Sequence, residues 1–352
     1  MKGARQLDRP RTTCSLSIVN EGEETSSAHF SEFSIERLQM AQDSYHVPVL
    51  ENEVVELFAS QPAGVIVDAT LGGGGHAAAI LAAAPQLQLV GIDRDHEARD
   101  EAVQKLELFS SRARVTEGTF GDLVEVLERH ADFVKTGPIV GVLMDLGVSS
   151  HQLDESRRGF SFRTDAPLDM RMDTSSGLTA AQLLATLDQD EFMRLLRENG
   201  EDRFAGAIAK SVLARQPQTT NELTEAVERA VPMVARRRGH VATRVFQTLR
   251  IVVNAEKEQL RDGLDGALDV LAVGGILAVI SYHSGEDRVV KAVFHEAATG
   301  GCHCPVELGC VCGAVARFTV QKASARLASA DEIQSNPRAR SARLRVVQKI
   351  LP

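Results

Sequence analysis

Apolar residues recur at helical spacing through VLENEVVELFA, at Val49, Leu50, Val54, Leu57 and Phe58, and then run together in AGVIVDAT, which predicts a short buried strand. Four glycines follow, and HAAAILAAAP, built from strong helix formers, reads as a helix that Pro85 ends. The alternation continues. LQLVGIDRD predicts a second strand finishing on acidic residues, EARDEAVQKLELF an amphipathic helix, ARVTEGTF a third strand, DLVEVLERH a helix and PIVGVLMDLG a fourth strand. Strand and helix in turn is the pattern of an α/β fold, a parallel sheet covered on both faces. Helical patterns then dominate residues 165–265, which predicts an inserted all-helical domain. Afterwards LDGALDVLAVGG closes a helix on Gly274 and Gly275, ILAVISYHS is a fifth strand, and RFTVQKA and RLRVVQKI fit a closing antiparallel hairpin. The expected division is a doubly wound domain over 45–164 and 266–352 with the insert between. Residues 1–44, polar and without periodicity, are expected to form a mobile extension. Met40, just before the first regular segment, is an alternative start to Met1.

Composition narrows this picture. The chain has 352 residues, 43% hydrophobic and 25% charged, enough for a substantial core, and no apolar run approaches the roughly 20 residues of a membrane span. The opening MKGARQLDRPRTTCSLSIVNEGEE lacks the apolar centre of a secretory signal, so a cytoplasmic protein is expected. A net charge of −9 means that any nucleic acid must be met by local basic patches. Arg236, Arg237 and Arg238 are consecutive, with Arg244 and Arg250 following. The C-terminal stretch carries Arg317, Lys322, Arg326, Arg338, Arg340, Arg343, Arg345 and Lys349 against Asp331 and Glu332. A solvated surface carries such stretches too. Of five cysteines, Cys14 stands alone, while Cys302, Cys304, Cys310 and Cys312 form CHCPVELGCVC. Four thiolates suit tetrahedral zinc, yet the pairs are spaced more tightly than usual zinc ligands, and reduced thiols without metal are as well supported.

The glycines lie between a strand and a helix, where a backbone approaches a ligand closely and a helix N-terminus offers unpaired N–H groups. Gly72, Gly74 and Ala77 satisfy G-x-G-x-x-A, so a nicotinamide-dependent oxidoreductase is open. Asp93, about 20 residues on at the end of the second strand, suits a ribose diol in either class of enzyme. Asp68, directly before the loop, would repel a diphosphate but could hold the ammonium of a methionine moiety, which favours S-adenosylmethionine. Capping the turn is its plainer use. Asp145 ends the fourth strand, where open α/β sheets place active sites, and Gly147, Ser149, Ser150, His151 and Gln152 follow as a polar loop. Arg157, Arg158, Phe160 and Phe162 interleave charge with rings, which suits a phosphate and an unstacked base, although such phenylalanines more often pack in a core.

Taken in order, HVPVL, DATLGGGGH, GIDRD, DLGVSSHQLD, RGFSF, PLDMRMD, GEDRFA, ATRVFQTLRI and ISYHSGEDR resemble the ribosomal small-subunit RNA methyltransferase H family, from about His46 to the C-terminus. The resemblance implies a class I S-adenosylmethionine-dependent methyltransferase, a Rossmann-like doubly wound sheet with a helical insert. It also implies methylation of the exocyclic N4 of a cytosine in the decoding region of 16S rRNA. It places Gly74, Gly75 and His76 on the cofactor, Asp93 on its ribose, Phe120 near its adenine, and Asp145 and Gln152 beyond the fourth strand. The chain departs from the family pattern at Tyr282, where Phe is usual, at Gly285, where Leu is usual, and at Lys257, also for Leu.

Cytosine N4 is a weak nucleophile because its lone pair is conjugated with the ring, so a hydrogen-bond acceptor at its protons would help it react. Asp145 is the first candidate for that acceptor and His283, at the exit of the fifth strand, the second. Methylation at carbon 5 needs an enzyme nucleophile, usually Cys, and no cysteine lies between Cys14 and Cys302. A relative that binds RNA without catalysis is a further alternative.

Overall fold

The computed structural model describes residues 48–146, 159–160, 164–172, 174, 177–236, 240–305, 311–321 and 325–352. The extension expected over 1–44 lies outside them. Seven strands form one mixed sheet in the order β3-β2-β1-β4-β5-β7-β6. They are β1 (Gly64–Asp68), β2 (Leu87–Asp93), β3 (Ala113–Glu117), β4 (Ile139–Asp145), β5 (Ile276–Ser281), β6 (Phe318–Val320) and β7 (Arg343–Lys349). The first five run parallel. β7 pairs antiparallel with β5 and carries β6 on its outer side, so the expected closing antiparallel hairpin extends the sheet at the β5 edge with its second strand innermost. Strand order reverses between β1 and β4, which puts the binding crevice of such a sheet at their carboxyl ends.

Alternate strand residues feed two cores, as the pleat requires. Ile66, Leu89, Leu143 and Ile280 pack with Leu50 and with Phe58, Ile80, Leu81 and Ala102 of α1 (Glu51–Ala59), α2 (Gly75–Ala83) and α3 (His96–Lys105). Val65, Val67, Val90, Val142 and Val279 face the other way, onto α4 (Leu123–Arg129) and two later helices. Each fully buried aliphatic or aromatic side chain contributes about 1.5–3 kcal/mol. These two layers therefore fix where the strand ends emerge.

A third core is built mainly from helices, joined by Phe160, Leu168, Met170 and Met172 from the chain before them. α5 (Ala180–Thr186), α6 (Gln189–Glu198), α7 (Ala205–Arg215), α8 (Thr220–Ala230) and α9 (His240–Val253) bury Leu184, Phe192, Leu196, Ile208, Val212, Leu223, Val227, Val245 and Leu249 together. Their starts are written in the sequence: Thr179 with Gln182 and Asp188 with Glu191 form reciprocal caps, and Thr219 accepts from the Glu222 N–H. Phe160, read as a possible stacking platform, is 9% exposed and packs in this core, so it offers no ring to an RNA base.

α10 (Glu256–Val270) runs across the boundary expected at 265/266. Its Leu260, Leu264, Ala267 and Leu268 sit in the sheet's second core with Val290 and Phe294 of α11 (Ser284–Thr299). Helical periodicity marks an apolar face without saying which core it meets, which is why the pattern divided this helix, its first turns in the insert and LDGALDV after it. Among the described residues no helix is long and apolar enough to cross a membrane.

Candidate active site at the carboxyl edge of the sheet

Because β1, β2, β4 and β5 are parallel, their last residues share one edge: Asp68, Asp93, Asp145 and Ser281. Asp68 is 1% exposed, and burial pushes its carboxyl up to about 7. The charges of Asp145 and Asp93 add to that rise, while the His76 imidazole and the Thr70 N–H oppose it. An acid so placed is poised for a cation.

α2 begins at the glycine loop. Gly74 is its N-cap with φ 76°, a left-handed conformation that a side chain would strain, and no side chain caps the helix. A Cβ on Gly75 would fall 2.7 Å from Pro48 Cγ. Among the described residues no side chain caps the first N–H groups of α2, as an anion site requires. Gly72 N–H is used differently: it donates to Asp93 Oδ2 at 2.8 Å, while Asp95 N–H donates to Oδ1 at 2.9 Å. Each carboxylate oxygen of Asp93 keeps a second lone pair for a hydroxyl, and burial raises its pKa.

Asp145 is the hub. Its Oδ2 lies 3.5 Å from His76 Nε2, its Oδ1 accepts from Tyr282 OH at 2.8 Å, and its backbone N–H donates to Thr70 Oγ1 at 2.6 Å. Burial opposes charge on His76, but the hydrogen bond and charge of Asp145 and the charge of Asp68 outweigh it and raise the imidazole pKa. His76 Nδ1 is buried with no hydrogen-bond partner among the described residues. The phenol of Tyr282 is held un-ionised, first by burial and then by the Asp145 carboxylate it donates to. Thr70 and Tyr282 had no signal as site residues in the sequence, since their partner lies 75 and 137 positions away.

His283 is placed otherwise than a free base would be. It caps α11: Nδ1 accepts from Gly285 and Glu286 N–H at 3.2 and 3.3 Å, and Nε2 sits 3.0 Å from Glu286 Oε1. Burial works against ionised Glu286, but His283, the Tyr282 N–H and Arg250 more than compensate and lower its pKa. His283 Nδ1 is thus engaged in holding the helix start, while the buried Nε2 lies beside Glu286 without a hydrogen-bond partner among the described residues. Beside them an open cavity of about 500 Å³, partly solvent, lies between the sheet edge and the α9–α10 link. Phe120, Leu146 and His283 line it together with Met172, Ile251 and Lys257. Asn254 fastens this wall, accepting from Met172 N–H and donating to the Met170 carbonyl at 2.8 and 2.9 Å. Gln152, Arg157, Arg158 and Phe162 lie outside the described residues.

Residues 43–350 match the model of the MraW methylase family. The chain is 47% identical over 316 residues to a protein of Geobacter sp. (strain M21) called ribosomal RNA small subunit methyltransferase H, covering 88% of this chain and all of that one. It is 46% identical over 316 residues to a protein of the same name from Citrifermentans bemidjiense, with the same coverage. The chain belongs to the MraW methylase family. Among solved structures, an rRNA methylase from Streptococcus thermophilus is similar at 12% identity and TM-score 0.40, over 87% of this chain and 99% of that one. With the family settled, the dinucleotide pattern of the loop is coincidental, and the methyl donor of this methylase is S-adenosyl-L-methionine.

The residues present fit that donor. Uncapped α2 N–H groups suit a carboxylate, the buried Asp68 carboxyl an ammonium, the spare lone pairs of Asp93 a ribose diol, and the cavity beside Phe120 an adenine. The basic stretches fit an RNA less simply. Arg244 binds Glu201 at 2.6 Å, Arg250 binds Glu256 at 2.9 Å, and Arg345 binds buried Asp287 at 2.6 Å. Arg317 and Arg340 are exposed. Arg237 and Arg238 lie outside the described residues.

Proposed function

We propose that this methylase transfers a methyl group from S-adenosylmethionine to the exocyclic N4 of a cytosine in the decoding region of 16S rRNA. The observation that carries the substrate is the 47% identity, over the whole length of the relative, to a small-subunit rRNA methyltransferase H. The chemistry of the edge agrees with it. When bound, the cofactor supplies a methyl group on a sulfonium, already a good leaving group. What remains for the chain is to align the amine, exclude water and take a proton.

Asp145 is the residue for the last of these. A hydrogen bond from the N4 amine to its carboxylate would localise the nitrogen lone pair, and after transfer the same carboxylate would hold the proton. Tyr282 fixes one oxygen of that carboxylate and His76 lies by the other. We keep His283 as a wall of the cavity and the cap of α11 rather than as the base. Carbon-5 methylation would need a nucleophilic thiol, and the described cysteines, Cys302, Cys304 and Cys312, all lie beyond the far end of α11.

Two further expectations belong to this proposal: a cytoplasmic enzyme working on the small subunit or its RNA, and a division of labour between two modules. The sheet with α10 and α11 would hold the cofactor, and the α5–α9 block, with its own core, would cover the RNA side of the cavity. The test is to incubate labelled cofactor and enzyme with rRNA or small subunits from a strain lacking the activity and map the label. N4-methylcytosine in the decoding region is expected. Label on an adenine, on carbon 5 or on protein alone would overturn the proposal.

A further inference from the structure

The CHCPVELGCVC segment plays no part in the site at the sheet edge. It follows α11, whose first turn borders the cavity, and a helix of 16 residues carries the chain about 24 Å away from it. Between Gly301 and Phe318 the described residues form no helix or strand. Nor does this loop bury much apolar surface, since Val311 is 88% exposed and Val315 59%. Yet it is closed at its neck. Gly300 and Gly301 turn the chain with φ 63° and 72°, and a Cβ on Gly300 would fall 2.4 Å from the Val315 carbonyl oxygen.

At that neck the sulfur atoms of Cys302, Cys304 and Cys312 all lie within 4.8 Å of one another. Zinc–sulfur bonds of about 2.3 Å at tetrahedral angles set sulfurs roughly 3.8 Å apart, a small contraction from this arrangement. The backbone N–H groups of Val311 and Cys312 also donate to the Cys304 sulfur. Metal-bound thiolates are commonly held by such outer contacts. Cys310 lies outside the described residues.

We propose that Cys302, Cys304 and Cys312 bind a zinc ion, a structural clip that closes the loop between α11 and β6. Soft thiolates select zinc over magnesium or calcium, and zinc has no redox chemistry to serve here. Each ligating thiol gives its proton to solvent as the sulfur–zinc bond forms, so binding strengthens as pH rises.

The test uses the full chain, purified under reducing conditions, supplied with zinc chloride and dialysed. About one zinc per chain is expected by elemental analysis, falling at least tenfold in Cys304→Ser and in Cys312→Ser. Cobalt chloride in place of zinc is expected to give thiolate-to-cobalt absorption in the near ultraviolet. Because a serine variant can also lose metal by misfolding, the wild-type protein is examined too, by amide exchange before and after chelation. Protection is expected to fall around residues 300–320 and to persist in β1 and β4. No zinc retained by the wild type, retention by both serine variants equal to wild type, or a disulfide among these cysteines in the purified chain would overturn the proposal.

Discussion

Glu201 and Asp68 are each 1% exposed, but the helical block and the sheet edge treat them in opposite ways. Glu201 Oε2 receives two nitrogens of the Arg244 guanidinium at 2.6 and 2.7 Å, and its Oε1 accepts from the Phe204 N–H at 3.1 Å, so both oxygens are answered. Asp287, under β7, is answered in the same way by Arg345 and Arg343. Among the described residues no guanidinium pairs with Asp68. It is eased by His76 and one backbone N–H, and its acid therefore rises to about 7. A buried charge that is fully answered holds a fold together; one left half-answered costs stability and is kept for a ligand. The difference separates architecture from chemistry in this chain better than burial alone does.

The sharpest way to test that separation is Asp145→Ala. Single-turnover methyl transfer at saturating cofactor is expected to fall about 10³-fold, the range of a lost acid–base group. A variant as fast as wild type would remove Asp145 from the chemistry. On the architectural side, Arg244→Met leaves buried Glu201 with the Phe204 N–H but without its counter-charge. It is expected to cost about 2 kcal/mol in urea unfolding, with transfer per folded molecule unchanged.

Asp68→Asn tests the half-answered acid directly. Cofactor affinity measured by calorimetry at pH 8 is expected to fall about tenfold, the worth of one ionic contact. In the wild type a bound ammonium favours the ionised acid, so affinity should decline as pH falls below about 7, and the variant should be flat. Stability runs the other way. The folded-state value lies above the unfolded 3.8, so this group's contribution is complete below about 3.8 and is lost as pH rises through 7. Ligand-free Asp68→Asn is therefore expected to melt higher than wild type at pH 8, by about 3 °C or more. The smallest effect belongs to Tyr282→Phe. Losing one hydrogen bond to a carboxylate should lower kcat about fivefold and leave the cofactor KM unchanged, whereas loss of packing would show in both.

The order of strands and helices was legible because each strand buries both faces and each helix one stripe, so their periods differ along the chain. The strand-end aspartates were legible for the same reason, as acids that close apolar runs. What pairs with them was not. The Tyr282 hydroxyl meets Asp145 only after β4 and β5 have aligned, and Thr70 reaches the same residue across the β1–β4 junction. That His283 caps α11 was not legible either, because a histidine at a strand exit carries no mark of capping until Gly285 and Glu286 turn their N–H groups toward it. Arg244 and Arg250 looked like part of an RNA-facing run because Glu201 and Glu256, which answer them, sit in other elements.

The inserted last strand has a consequence for how the protein is made. β6 is synthesised before β7, yet β7 is its neighbour in the sheet and also covers the open side of β5. While the chain emerges N-terminus first, the parallel half can assemble with β5 as a raw edge of unpaired backbone, and β6 has nothing to join. A nascent chain stopped before Arg343 would present that edge to its neighbours and to quality control. The final few residues thus work as a latch that converts an aggregation-prone intermediate into a finished enzyme.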